Sequence, residues 1–382
     1  MIYRRHRQQL ANKRNNTVRI TGIEAIPVGL PLAKPLIMGG RRFENSQSLI
    51  VHVTCSGGIE GWGEAAPYAG EQLSGLVAEV REAVAPLVCG QPAEDRTRMV
   101  DALWQAARCS PRTIAAVEIA LADALARASG LRIADLYGGT RRVSLAQKWL
   151  IGSPDMRDEI AETERRVADG ISLFMLKVGS KTVDQDVILA QQLRQMFGNQ
   201  ISLCADANGA WTQAQATSYL SQLEGVGLLY LEQPLPAGEL RAAAAVAAAV
   251  PTPLSLDEGV AGTHDILAAW QAAATRGAII KPSKYGGISR ALQAGILCDA
   301  LGVNVGLATT LAETSIGTAA ALQVAAVLPQ VAWDIGPSSD YLAEDLVEIP
   351  IRHSSGRLHI PTGPGLGIEI SRRQIERFRL DR

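Results

Sequence analysis

From residue 143 onward the chain repeats a strand followed by a helix, and this repeat limits the fold more than any other feature. Strand candidates are Leu145–Ile151, Leu173–Val178, Ile201–Ala205, Leu228–Glu232, Leu254–Asp257, Ala278–Lys281, Val303–Ala308 and Val331–Ile335. Helical spacing of apolar residues fills the gaps at 156–169, 183–197, 212–223, 263–274, 288–301 and 314–327. Lys177 to Asp206 is 29 residues, Asp206 to Glu232 is 26, Glu232 to Asp257 is 25 and Asp257 to Lys281 is 24. Regular units of this length imply a parallel sheet. Eight of them imply a closed (β/α)8 barrel, an α/β fold. A doubly wound open sheet is the alternative, but no GxGxxG opens any of the helices.

The segment before the repeat reads differently. Val18 to Leu30 alternates, Ser48–Cys55 is a strand, Ser56-Gly57-Gly58 is a turn and Ile59–Ala65 pairs back. Helical spacing follows at 72–88, 94–108 and 111–129. The expected organisation has four parts: a disordered basic extension (1–16), an α+β module (17–140), the barrel (141–345) and a C-terminal segment (346–382).

Composition excludes several functions. The net charge of -1 supplies no field for nucleic acid or an anionic membrane. No apolar run approaches the ~20 residues of a membrane span. The five cysteines are scattered without a CxxC, so a disulfide framework or a cysteine zinc site is not expected, and a cytoplasmic location fits.

In such a barrel the chemistry sits at the C-terminal strand ends. Five consecutive strands end in an ionisable residue: Lys177, Asp206, Glu232, Asp257 and Lys281. Charged groups are rarely buried unless paired or bound to metal. The middle three are carboxylates on strands about 4.8 Å apart, whose repulsion calls for a cation. All-oxygen ligation selects Mg2+, or Mn2+, over zinc. Strands 2 and 6 face each other across an eight-stranded barrel, so Lys177 and Lys281 approach the centre from opposite sides. A lysine near a cation and a second lysine has its ammonium disfavoured, which suits it to proton transfer. Nothing equivalent supports Lys34, Lys148 or Lys284 as bases. These parts suit proton removal next to a carboxylate held at the cation, through an enolate. Racemisation, β-elimination and lactonising cycloisomerisation all use that step.

The chain resembles the enolase superfamily, and within it the muconate lactonising (muconate cycloisomerase-like) subgroup. The resemblance runs from about residue 18 through GWGEAAP, LKVG, DANGAW, LEQP, LDEG, the Lys281 strand with Gly286-Gly287, LAETSIGTAA and HIPTGPGLGIEI. It implies that Asp206, Glu232 and Asp257 bind Mg2+, that Lys177 and Lys281 are the acid/base pair, and that Glu313 supports Lys281. Asn208 and Glu258 match positions beside the metal ligands. The early module looks like a capping domain whose loops at 32–43 and 66–72 set specificity, with the C-terminal segment packing on it. Arg41 and Arg42 fall in the first loop, either binding a distal substrate carboxylate or standing in solvent. A small-molecule carboxylate substrate and a homo-oligomer are implied as well.

One departure stands out. The family has Lys-x-Lys on strand 2, and this chain has Met175-Leu176-Lys177. Losing that ammonium raises the Lys177 pKa and puts authentic muconate lactonisation in question. There is no histidine between His264 and His353 to match that of mandelate racemase relatives, and Asp334-Ile335-Gly336 is half the Asp-x-Asp of dipeptide epimerases. The sequence thus points first to a Mg2+-dependent cycloisomerase acting on an unsaturated diacid or lactone. The alternatives are a racemase or epimerase of an N-acylated amino acid or related carboxylate, and a catalytically silent metal-binding barrel.

Overall fold

The computed structural model describes residues 17–38, 41–68, 70–311 and 313–381, without the side chains of 35–38 and 41–43. The expected extension at 1–16 and the side chains of Arg41 and Arg42 lie outside the described residues.

Three antiparallel strands come first: β1 (Ile20–Met38), β2 (Arg41–Cys55) and β3 (Glu60–Ala65), in the order β1-β2-β3. The loop expected at 32–43 is instead the far end of the β1–β2 hairpin, with Leu36 opposite Phe43 and Met38 opposite Arg41. The register slips between Pro31 and Leu36, a stretch where Pro31 and Pro35 lack the N–H a ladder needs. The helix Pro111–Ala128 crosses β3. Its start is set by Ser110, whose Oγ accepts from Thr113 N at 3.2 Å, and by Pro111, whose missing N–H costs nothing there. Gly63 in β3 allows this packing, because a Cβ would stand 2.0 Å from the Ala116 carbonyl oxygen. The helical pattern at 72–88 is interrupted by a π-turn at Val80–Val84, just before Pro86.

The strand expected at 145–151 is two strands. β4 (Ser144–Ala146) turns away to pair with β13 (Arg357–His359), and β5 (Lys148–Ile151) opens the barrel. β6 (Leu173–Lys177), β7 (Ser202–Asp206), β8 (Leu231–Glu232), β9 (Leu254–Leu256), β10 (Gly277–Ile280), β11 (Asn304–Ala308) and β12 (Ile335–Gly336) follow in spatial order, all parallel. A parallel bridge from Gln147 to Ile335 closes the ring. Helices join the strands, several with Thr caps: Thr182 and Thr212 each form a capping box with the Gln three residues on.

Cap and barrel share a buried seam. Glu64, at the end of β3, accepts from Thr314 N at 2.9 Å, Thr314 Oγ1 at 2.7 Å and Gly317 N at 2.9 Å, at the start of the helix Ser315–Val327. The C-terminal residues also reach the cap: Leu380 N donates to Pro27 O at 2.8 Å and Arg379 pairs with Glu24 at 2.7 Å. Among the described residues no helix is long and apolar enough to cross a membrane.

Candidate active site

Strand register brings the ionisable residues together. Lys177 is opposite Asp206 and Asp206 opposite Glu232 as Cα partners. Glu232 pairs with Ser255, so Asp257, two residues on, points the same way by the period of two. Lys281 follows β10 directly. Together with Asn208, Glu258, Tyr68, Lys148, Met175 and Thr310 these side chains line one cavity at the C-terminal mouth of the barrel.

The floor of the cavity is apolar. Leu173, Met175, Cys204, Tyr230 and Trp333 form one buried cluster, with Tyr230 and Trp333 stacked at 4.1 Å.

Each lysine is held by a carboxylate. Lys177 Nζ donates to Asp206 and, at 3.0 Å, to Asn208 Oδ1. Lys281 Nζ donates to Asp257 Oδ2 at 2.5 Å. Lys284 Nζ takes the other oxygen of Asp257 at 2.5 Å and its carbonyl at 2.7 Å. Asn208 Nδ2 passes the network to Glu258 Oε1 at 3.0 Å, and Tyr68 of the cap donates to the same oxygen at 3.2 Å.

Electrostatics follow from these contacts. Burial works against ionisation of Asp257, but the Lys281 and Lys284 ammoniums outweigh it and hold its pKa well below the usual range. Glu232 goes the other way: burial and the charge of Asp206 push it up to about 8. Glu258 is raised by burial and by Asp257. The sequence reading expects a disfavoured ammonium on Lys177 and Lys281 beside a bound cation; the protein side chains by themselves act in the opposite sense. Burial opposes the charge, but Asp206 and Glu232 around Lys177, and Asp257, Glu258 and Glu232 around Lys281, outweigh it and raise both pKa values. Lys284 alone of the three is lowered, because burial and Lys281 exceed the pull of Asp257.

The resemblance gives Glu313 to Lys281, whose Nζ donates to Asp257. Glu313 is buried where the turn after β11 meets the cap. Its donors are Ala66 N at 3.4 Å and Thr310 N at 3.1 Å, and Ser283 and Arg112 are its other polar neighbours.

The strand-end pattern passed over two lysines. Lys284 belongs to the one-turn helix Pro282–Tyr285, which places it beside Lys281. Lys148 is 2% exposed, and its Nζ lies 4.0 Å from Glu232 Oε2. Its signal in the sequence is a charged residue at a position that alternation turns inward. Tyr68 falls in the segment expected to set specificity.

Among the described residues no three His, Cys, Asp or Glu side chains form a ready metal cluster. The reason is local: oxygens of Asp206 and of Asp257 are turned onto lysines. Glu232 Oε2, by contrast, is buried without a hydrogen-bond partner.

A parallel barrel with carboxylates and lysines converging at its mouth under an α+β cap defines a barrel enzyme. Comparison with known proteins places it more closely. The chain belongs to the enolase superfamily, in its mandelate racemase/muconate lactonizing enzyme group. Residues 158–374 match the family described as "Enolase C-terminal domain-like", and residues 20–138 match "Mandelate racemase / muconate lactonizing enzyme, N-terminal domain". It is an isomerase of that superfamily. A chloromuconate cycloisomerase of Cupriavidus pinatubonensis is 31% identical over 92% of this chain and 96% of its own. Muconate cycloisomerase 1 of Rhodococcus opacus is 28% identical over 92% and 96%. The crystal structure of muconate lactonizing enzyme from Pseudomonas fluorescens, complexed with muconolactone, superposes with a TM-score of 0.91 at 28% identity, covering 95% of this chain and all of that one.

Proposed function

We propose that this protein is a Mg2+-dependent cycloisomerase of the muconate lactonising type, moving a proton next to a carboxylate of an unsaturated diacid or its lactone. The observation that carries this reading is the register of Lys177, Asp206 and Glu232, with Asp257 and Lys281 completing the ring. Asp206, Glu232 and Asp257 are the residues that would hold the cation. Their all-oxygen chemistry fits a hard divalent ion, and the unpartnered Oε2 of Glu232 is a donor in need of one. The bound ion supplies positive charge that stabilises an enolate forming from the substrate.

The rest is done by the chain's own side chains. Lys177 and Lys281 enter from facing strands, so one gives or takes the proton at the carbon beside the carboxylate while the other stands on the opposite side. Asn208 fixes the Lys177 ammonium, and Lys284 shares Asp257 with Lys281. The apolar floor and the cap keep water from the reacting carbon. A second reading, racemisation of an N-acylated amino acid or related carboxylate, is favoured by one observation: Met175 and Leu150 give the cavity an apolar wall beside Lys177.

Incubation with Mg2+ and cis,cis-muconate, its lactone and N-acylated amino acids in D2O tests both. The expected result is lactone formation from the diacid with deuterium entering beside the carboxylate. Exchange without net conversion, confined to the amino acids, selects the second reading. Mg2+ binding with no exchange into any of them overturns both.

A further inference from the structure

Lys148 is a costly residue where it stands. It springs from β5, level with Leu173 of β6, and its side chain enters a barrel interior of Leu173, Met175, Cys204, Tyr230 and Trp333. It is 2% exposed, its Nζ donates to Tyr230 OH at 2.7 Å, and its nearest carboxylate oxygen is Glu232 Oε2 at 4.0 Å. A buried ammonium with a neutral acceptor and one distant counter-charge loses more solvation than those contacts return. An apolar side chain of equal length would pack the same space without that loss. The path is also cleared for it: a Cβ on Gly336 of β12 would come within 3.1 Å of Lys148 Cε.

What the ammonium faces accounts for the cost. It lines the same cavity as Lys177 and Met175, and Leu150, two residues along its own strand, is the Cα partner of Met175. The wall beside Lys177 therefore carries methionine on β6 and a positive charge brought up from β5.

We propose that Lys148 is a positioning residue of this site: its ammonium supplies, from the neighbouring strand, the fixed positive charge that Met175 does not, and holds Glu232 and an anionic ligand in place. The inference rests on the metal-site reading given above. A unit charge at this range in a partly buried site is worth about tenfold in affinity for an anion.

The test uses the full chain with two probes, Mn2+ alone and then oxalate with saturating Mg2+, both followed by calorimetry. Lys148→Met and Lys148→Gln are expected to bind Mn2+ and to bind oxalate about tenfold more weakly. The glutamine keeps a neutral polar group turned toward Tyr230, so it separates the loss of charge from the loss of polarity. Adding Met175→Lys to Lys148→Met is expected to restore most of the oxalate affinity, which a merely structural lysine would not allow. Wild-type oxalate affinity in Lys148→Gln overturns the inference. So does a double variant that melts like the wild type yet binds oxalate no better than Lys148→Met. If the wild-type protein binds no Mn2+, the metal-site reading falls and takes this inference with it; Mn2+ binding with unchanged oxalate affinity in the variants removes the inference alone.

Discussion

Tyr68 of the cap donates its phenol proton to Glu258 of the barrel at 3.2 Å, directly over the mouth of the site. Glu258 in turn receives Asn208, and Asn208 receives Lys177. A cap residue is thus linked through two side chains to the lysine proposed to move the proton. Tyr68→Phe removes one hydrogen bond to a carboxylate, worth about 1–2 kcal/mol. The expected outcome is a several-fold rise in KM with little change in melting temperature, since Tyr68 is 39% exposed. A variant with wild-type KM and kcat would show that the cap is not coupled to the site through this contact.

Lys177→Ala and Lys281→Ala are each expected to lower turnover by ~10^2 to 10^4 through loss of acid or base. Metal affinity should not fall with it, because each variant releases a carboxylate oxygen now held by the lysine. Calorimetry with Mn2+ and initial rates on the same preparations give both quantities. Near-normal rates in either variant would contradict the assignment.

Removal of the metal gives a different signature. Asp206→Asn and Asp257→Asn are expected to abolish Mn2+ binding and, with it, turnover, while the fold persists. Dialysis of the wild-type protein against a chelator should silence it reversibly, with activity returning on addition of Mg2+. Activity that survives exhaustive chelation would exclude the proposed cation.

The seam between cap and barrel should titrate. Burial, together with the charge of Glu313, pushes Glu64 up to about 8. The unfolded chain binds that proton only below about pH 4.3. The folded state therefore binds more protons between these values, so this contribution is full at low pH and is lost as pH rises toward 8. Urea unfolding at pH 5, 6.5 and 8 should show wild-type stability falling more steeply than that of Glu64→Gln. Parallel curves would mean that Glu64 stays ionised throughout.

Gly63→Ala tests the packing of the cap. The added methyl meets the Ala116 carbonyl oxygen at 2.0 Å, which is backbone and cannot swing aside. Overpacking of this kind costs about 3 kcal/mol. Thermal melting should show it, whereas Gly57→Ala, in an open turn with nothing near its Cβ, loses only the strain of its positive φ.

Much of the barrel was legible because its strands are apolar runs that end in single charged residues at regular spacing. Helices such as Val183–Phe197 and Ile288–Leu301 fall where their periodicity puts them. The short strands β8 and β12 pair over only two residues, and no pattern in an apolar run marks where pairing starts. The split at Gln147 was hidden for a similar reason: β4 and β5 read as one strand, and only the partner Arg357–His359, over two hundred residues away, pulls them apart. In the site, strand ends could be read and side-chain reach could not. Lys148 is rooted low on its strand and acts four carbons higher. Glu313 sits beyond β11 and takes its donors from Ala66 of the cap and from Thr310, contacts that no strand-end pattern announces.

The stacked Tyr230 and Trp333, packed with Leu173, Met175 and Cys204, close the lower end of the barrel. A ligand seated at the carboxylates therefore has this packed cluster beneath it and the cap residue Tyr68 on the other side, joined to Glu258. Exchange of product for reactant is expected to run past the cap, so the contacts that hold the cap also bear on how fast the site empties.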